Sequence, residues 1–365
     1  MKMPWWQTRP ALIAWALSAV FAWTALGQNA AAPAATTAAT AVTHNSSYIE
    51  PDGTAHVGRI VPVPQSLSPE AQATLRHPET DAKADITLAE RRATTDAYTA
   101  RAEKQWQKLC PVTIANDTMA GVPVRRVTPM TVPAANAEKV LLDLHGGGFD
   151  SDSGSYTETI PIAYYAQVPV VAALYRLAPE HPFPAAVDDA VAVYRELLKT
   201  HKPEQIAIYG TSAGAILTGE VAVRLKQLSL PEPAGLGIFS GMGDFARRGD
   251  SVHLYALRGL SGYLATPNGE RELPAYVGNT DMKDPVLSPI YADLKGMPPT
   301  LFVTSGRDLL LSGTTDLQRA FLRAGDDARL MVFDGLPHAF WYNPELPEST
   351  EANQAMAKFL AEHLK

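Results

Sequence analysis

Between residues 139 and 333 the chain alternates short, unbroken apolar runs with longer stretches of helical period. The runs are KVLLDL (139–144), VPVVAAL (168–174), QIAIY (205–209), TLFVT (300–304) and RLMVF (329–333). Between them the spacing predicts helices over 185–199, Ala213–Gln227 and 312–324. A strand with one face in water alternates apolar and polar residues, whereas continuous apolar strands separated by helices form a parallel sheet covered on both faces. On such sheets ligands gather beyond the carboxyl ends of the strands. Upstream, the text is Pro-rich from about residue 47 and then helical. Leu88, Ala89, Arg92, Thr95, Ala102, Trp106 and Leu109 recur at near-helical spacing after Thr87, and Pro111 stops the helix.

The N-terminal pattern is of another kind. Lys2 and Arg9 precede an almost wholly apolar stretch, 11–26, which is shorter than the about 20 residues of a membrane-spanning helix. It suits the apolar part of a secretory signal, with Ala25-Leu26-Gly27 as a cleavage point and another near Ala30. The expectation is a signal peptide over 1–27, an Ala/Thr-rich linker over 28–46, and export to a periplasm or the medium with no lasting membrane anchor. Across 365 residues there are 31 Lys+Arg against 38 Asp+Glu, and loss of Lys2 and Arg9 makes the protein more acidic still. That balance argues against nucleic acid as a partner, since a polyanion needs a basic surface. With 46% apolar residues the chain can bury a full core, and its single Cys110 excludes an internal disulfide framework or a Cys-rich metal site.

The chemistry-bearing residues follow the apolar runs. After QIAIY comes Gly210-Thr211-Ser212-Ala213-Gly214 and then a helix. This G-x-S-x-G turn between strand and helix lifts a serine hydroxyl into the open as a nucleophile. After KVLLDL comes His145-Gly146-Gly147-Gly148-Phe149. Acyl transfer places negative charge on the former carbonyl oxygen, and glycines let backbone N–H groups approach it. The expected donors are Gly147 and Gly148, with Gly146 as a further candidate, joined by the N–H of Ala213. His145 reads as a brace for this loop rather than a base. Neither nucleotide-phosphate loop pattern follows the strand.

A base must take the serine proton, and histidine titrates in the right range. His338 lies directly after RLMVF, whereas His44, His56, His181, His201 and His363 read as solvated or structural and His253 falls in a Gly/Arg-rich stretch. The carboxylate that orients the imidazole is expected to be Asp308, after TLFVT, with Asp284, Asp316 and Asp334 as competitors. Ser212, Asp308, His338 is the chain order of an α/β-hydrolase.

With these residues the chain resembles the hormone-sensitive-lipase-like branch of the α/β-hydrolases, over about 124–364. Tyr175-Arg176-Leu177-Ala178-Pro179-Glu180 is similar to that family's Y-R-L-A-P-E stretch, and Asp284-Pro285-Val286-Leu287-Ser288-Pro289 to its D-P-x-x-S-P segment. Thr211, where many members carry Asp, aligns the elbow with the G-T-S-A-G subgroup. The resemblance implies an α/β-hydrolase fold: a mostly parallel central sheet, helices on both faces and a helical cap. The matching cap segments are 47–109 and an insertion at about 241–271 of a catalytic domain spanning 110–365. It also implies a serine carboxylesterase for short-chain acyl esters that needs neither metal nor organic cofactor. A small-molecule ester is the implied partner, with a homodimer as the open oligomeric option. Phe149, Tyr156, Phe340 and Trp341 are candidates for the pocket wall or for ordinary core. The same triad would also serve a lactone hydrolase or an amidase, and a non-catalytic binding protein of this fold is a more distant alternative.

Overall fold

Why four of the five runs are apolar on both sides is evident in the central sheet of a computed structural model, which describes residues 47–58, 60–76, 87–247, 249–256, 263–264 and 275–365. The fifth, 329–333, falls in an edge strand where Leu330 and Val332 are exposed rather than covered. The sheet's strands are β1 (Val112–Met119), β2 (Val122–Pro129), β3 (Val140–Leu144), β4 (Val170–Ala173), β5 (Ile206–Thr211), β6 (Gly235–Phe239), β7 (Thr300–Arg307) and β8 (Ala328–Pro337). They lie in the order β8-β7-β6-β5-β3-β4-β2-β1. All neighbours are parallel except β1 with β2 and β2 with β4. The longer helices are α1 (Leu88–Leu109), α2 (Thr159–Ala166), α3 (Ala185–Leu197), α4 (Ala213–Gln227), α5 (Leu311–Ala324) and α6 (Pro347–His363). Ile206 and Ile208 of β5 pack into the core formed with α3, α4 and α5. Ala207 and Tyr209, one residue out of phase, pack into the core formed with α1, α2 and α6. With a side-chain period of two and helices on each face, residues 206–209 of β5 have no side facing water, which is why the run is unbroken.

The apolar runs do not mark every strand. Residues of β1 are mostly exposed, so no run forms there, and the hairpin turn to β2 uses Ala120 and Gly121 at φ 50° and 84°. In β6 (GLGIF) glycines dilute the apolar signal.

At the start of α1, Thr87 and Glu90 form a capping box: Glu90 N–H donates to Thr87 Oγ1 (3.2 Å) and Thr87 N–H to Glu90 Oε2 (2.8 Å). One turn on, Arg92 donates to the carbonyls of Asp150 (2.7 Å) and Ala178 (3.0 Å), and it pairs with Glu180. Near the other end, Trp106 is fully buried and its indole donates to the carbonyl of Tyr342 (3.2 Å). The helix is thereby fixed at one end to the loop after β3 and at the other to the loop after β8.

The chain divides near residue 61, and residues 62–365 form one unit. In the preceding unit, Tyr48–Ile49 pairs antiparallel with Ala55–His56. The expected signal 1–27 and linker 28–46 lie outside the described residues. Of the expected insertion at about 241–271, the structure describes a helix, Asp250–Leu254, and the pairing of Tyr255–Ala256 with Tyr263–Leu264. Positions 248, 257–262 and 265–271 lie outside the described residues. No helix among the described residues is long and apolar enough to cross a membrane.

Candidate active site

β5 enters α4 through Ser212, whose backbone sits at φ 59°, ψ −120°, a region that side chains with a Cβ rarely adopt. The turn is tight: a Cβ on Gly214 or on Gly210 would collide with the carbonyl oxygen of Leu144 at the end of β3. The spacing of the two glycines around the serine therefore follows from how closely β3 approaches the elbow. Ser212 N–H donates to the carbonyl of Phe239 (2.9 Å), which ties the turn to β6.

His338, in the loop that leaves β8, has Nε2 at 2.8 Å from Ser212 Oγ and Nδ1 at 2.7 Å from Asp308 Oδ1. Asp308 follows β7 and is fully buried. Its second oxygen accepts from Ser240 Oγ and from Thr304 Oγ1 (2.9 Å), and Oδ1 also accepts from Leu310 N–H (2.8 Å). Burial alone would raise this carboxyl. The adjacent His338 charge and the bonds from His338, Ser240 and Leu310 outweigh it and hold Asp308 below the usual carboxylate range. An ionised Asp308 fixes the proton on His338 Nδ1 and leaves Nε2 to accept from Ser212. Chain ends of β5, β7 and β8 thus bring nucleophile, carboxylate and base together.

The glycine loop follows β3. Gly147 has φ 126° and Gly148 φ 65°, and a Cβ on Gly147 would strike the carbonyl of Ser151. The carbonyl of Gly147 accepts from Asp150 N–H (3.2 Å), Ser151 N–H (3.1 Å) and Ser151 Oγ (2.9 Å), which fixes the turn. Among the described residues no protein acceptor meets the N–H groups of Gly147, Gly148 or Ala213, the last at the open first turn of α4. Gly146 differs from expectation: its N–H donates to Glu158 Oε1 (2.8 Å) and is already taken. His145 is buried, with its ring stacked on Tyr175 (4.1 Å), Nδ1 at 2.9 Å from its neighbour's carbonyl, and its own carbonyl accepting from Tyr175 Oη (2.6 Å).

The four aromatic candidates separate. Phe149 is buried and stacks on Tyr276 at 3.5 Å, directly after the loop glycines. Tyr156 lies under the guanidinium of Arg125, 3.7 Å from its ring centre. Phe340 and Trp341 are core rather than pocket wall, because a stronger set of partners claims them. Phe340 packs on Phe333, and the Trp341 indole donates to Thr211 Oγ1 (3.1 Å) from beneath the elbow. Among the competing carboxylates, Asp284 accepts from Val286 and Leu287 N–H groups in its own turn, Asp316 pairs with Arg319 on α5, and Asp334 is exposed.

Sequence reasoning does not reveal Ser240, Thr304, Asp143 and Glu158. Ser240 carried one signal, its place directly after β6 at the same edge as the other strand ends. Glu158 carried none.

Residues 141–342 match the family model described as the alpha/beta hydrolase fold. An acetyl-hydrolase of Streptomyces hygroscopicus is 34% identical over 232 residues, covering 62% of this chain and 77% of that protein. Two solved structures are similar. The esterase E25 is 30% identical with a TM-score of 0.74, covering 86% of this chain and 100% of its own. A hormone-sensitive lipase from a metagenome library is 31% identical with a TM-score of 0.69, covering 78% and 94%.

Proposed function

The chain belongs to the alpha/beta hydrolase family, on its hormone-sensitive-lipase-like branch, and is a carboxylic ester hydrolase; from that premise we propose that it cleaves short-chain acyl esters through an acyl-serine intermediate. The observation that carries this reading is the line Ser212 Oγ, His338, Asp308 at 2.8 and 2.7 Å, beside unoccupied N–H groups. Ser212 attacks the ester carbonyl while His338 Nε2 takes its proton. The N–H groups of Gly147, Gly148 and Ala213 meet the oxyanion as it forms. His338 then gives the proton to the departing alcohol and activates water against the acyl-serine. Nucleophile, base and oxyanion donors all come from the chain, so no step needs a metal or organic cofactor. A short acyl group is favoured by the name acetyl-hydrolase for one relative.

The test is a panel of p-nitrophenyl esters from acetate to palmitate, with lactones and amides alongside, run on the wild type and on Ser212→Ala. Turnover falling with chain length, and lost in the variant, is the expected result. Wild-type rates in Ser212→Ala would remove the serine from the reaction, and a preference for palmitate would overturn the short-chain reading. A fluorophosphonate bonded to Ser212 supports the covalent step.

A further inference from the structure

Beneath the glycine loop lie two buried carboxyls, Asp143 of β3, fully buried, and Glu158 just ahead of α2, nearly so. Glu158 Oε1 accepts from Gly146 N–H (2.8 Å) on the oxyanion loop and from Tyr342 Oη on the loop that carries His338. One side chain thus touches both the oxyanion loop and the loop that bears the base. Among the described residues, no donor meets either oxygen of Asp143 or Oε2 of Glu158. Two carboxylates can only accept, so as buried neighbours they would repel; one proton between them lets one oxygen of Asp143 share a hydrogen bond with Oε2 of Glu158. Resting on the esterase reading, we propose that Glu158 is a positioning residue for the oxyanion hole, and that it holds the loop while sharing one proton with Asp143.

Protonation is consistent with the surroundings. Burial pushes Asp143 well above the usual carboxylate range, and the neighbouring Glu158 adds to it. Burial also raises Glu158, to about 7, against bonds from Tyr342 and Gly146 that lower it. The other titratable or charged groups around the pair are Tyr342, Tyr209, Tyr175, His145, Asp152 and Arg125. Arg125 is drawn towards Asp152 and Ser155, and Asp152 also lies 3.7 Å from His145, so the nearest cation is shared with another acid. Loss of the shared proton would set two negative charges against each other directly under Gly146, and the loop would yield.

The test uses full-length Glu158→Ala, Glu158→Gln and Asp143→Asn with p-nitrophenyl acetate. In Glu158→Ala, kcat falls about 10²-fold, the scale of a lost oxyanion donor, with KM little changed. Glu158→Gln keeps an acceptor for Gly146 and recovers at least about tenfold of that loss. In the wild type kcat declines on the alkaline side as the pair loses its proton, and Asp143→Asn, whose amide donates at any pH, removes that decline. An active wild type with an alkaline limb unmoved in Asp143→Asn, or an undiminished kcat in Glu158→Ala, overturns the inference and leaves the esterase reading standing. If Glu158→Ala does not fold, the other two variants still decide. A further readout is independent of turnover: the infrared difference between wild type and Asp143→Asn at neutral pH contains a carboxylic-acid band. Its absence overturns the shared proton even if the enzyme proves to act on something other than esters.

Discussion

Ser240 belongs to no motif, yet its hydroxyl bonds a fully buried carboxylate on which the tautomer of His338 depends. A hydrogen bond to a charged group is worth about 1.5–3 kcal/mol, so Ser240→Ala should lower kcat/KM by about tenfold or more. The sign with pH follows from the depressed Asp308: the ionised triad is present above its folded value and lost as pH falls through it. With one donor gone that value rises, so the variant loses its ionised Asp308 at a higher pH than the wild type. Gly147→Ala forces a Cβ onto the Ser151 carbonyl from a φ of 126°, and the displaced donor should cost about 10²–10³-fold in turnover. Away from the chemistry, Glu220 of α4 is fully buried, accepting from Tyr276 Oη (2.5 Å), and burial lifts it well above its ordinary value. The native state then holds a proton that the unfolded chain releases near the ordinary glutamate value. Stability therefore falls as pH rises from there towards the folded value. Glu220→Gln should flatten that slope, which melting temperatures measured from pH 4 to pH 8 would reveal. At this scale the triad was legible because nucleophile, base and acid each follow an apolar run. Glu158 was not, because its partner Tyr342 lies 184 residues away and only the folded chain makes them neighbours.

Among the elements, α1 shows how local signals and tertiary contacts divide the work. Its start after Thr87 was legible from the helical spacing, though its cap was not; Thr87→Ala, which removes the acceptor for Glu90 N–H, should cost about 0.5–2 kcal/mol, measurable as a lower urea midpoint. What holds its other end was not legible. Trp106 fits a helical period, but nothing in the sequence says that its indole reaches the Tyr342 carbonyl. Trp106→Ala should destabilise by about 3–5 kcal/mol. The strands β3, β5 and β7 were read from unbroken runs because both faces are covered. By contrast β1, paired only with β2 and mostly in water, has no such run to read.

At the scale of the molecule, the order of chemistry along the chain already implied the architecture, while the strand order did not follow from it. β5 pairs with β3 and β6, and β7 lies between β6 and β8, so the elbow is central and the base comes from an edge strand. Backbone with positive φ at residues other than glycine recurs at this end of the sheet, at Phe149, Ser212, Ser240 and Ala339. Each such position costs of order 1–3 kcal/mol and persists only where its surroundings hold it. The edge placement of β8 has a consequence for the protein while it is being made. A nascent polypeptide exposes its serine long before residue 338 leaves the ribosome, and until the last strand docks the hydroxyl has no proton acceptor. Ribosome-bound chains halted before that point should be blind to fluorophosphonates, and chains released at full length should react.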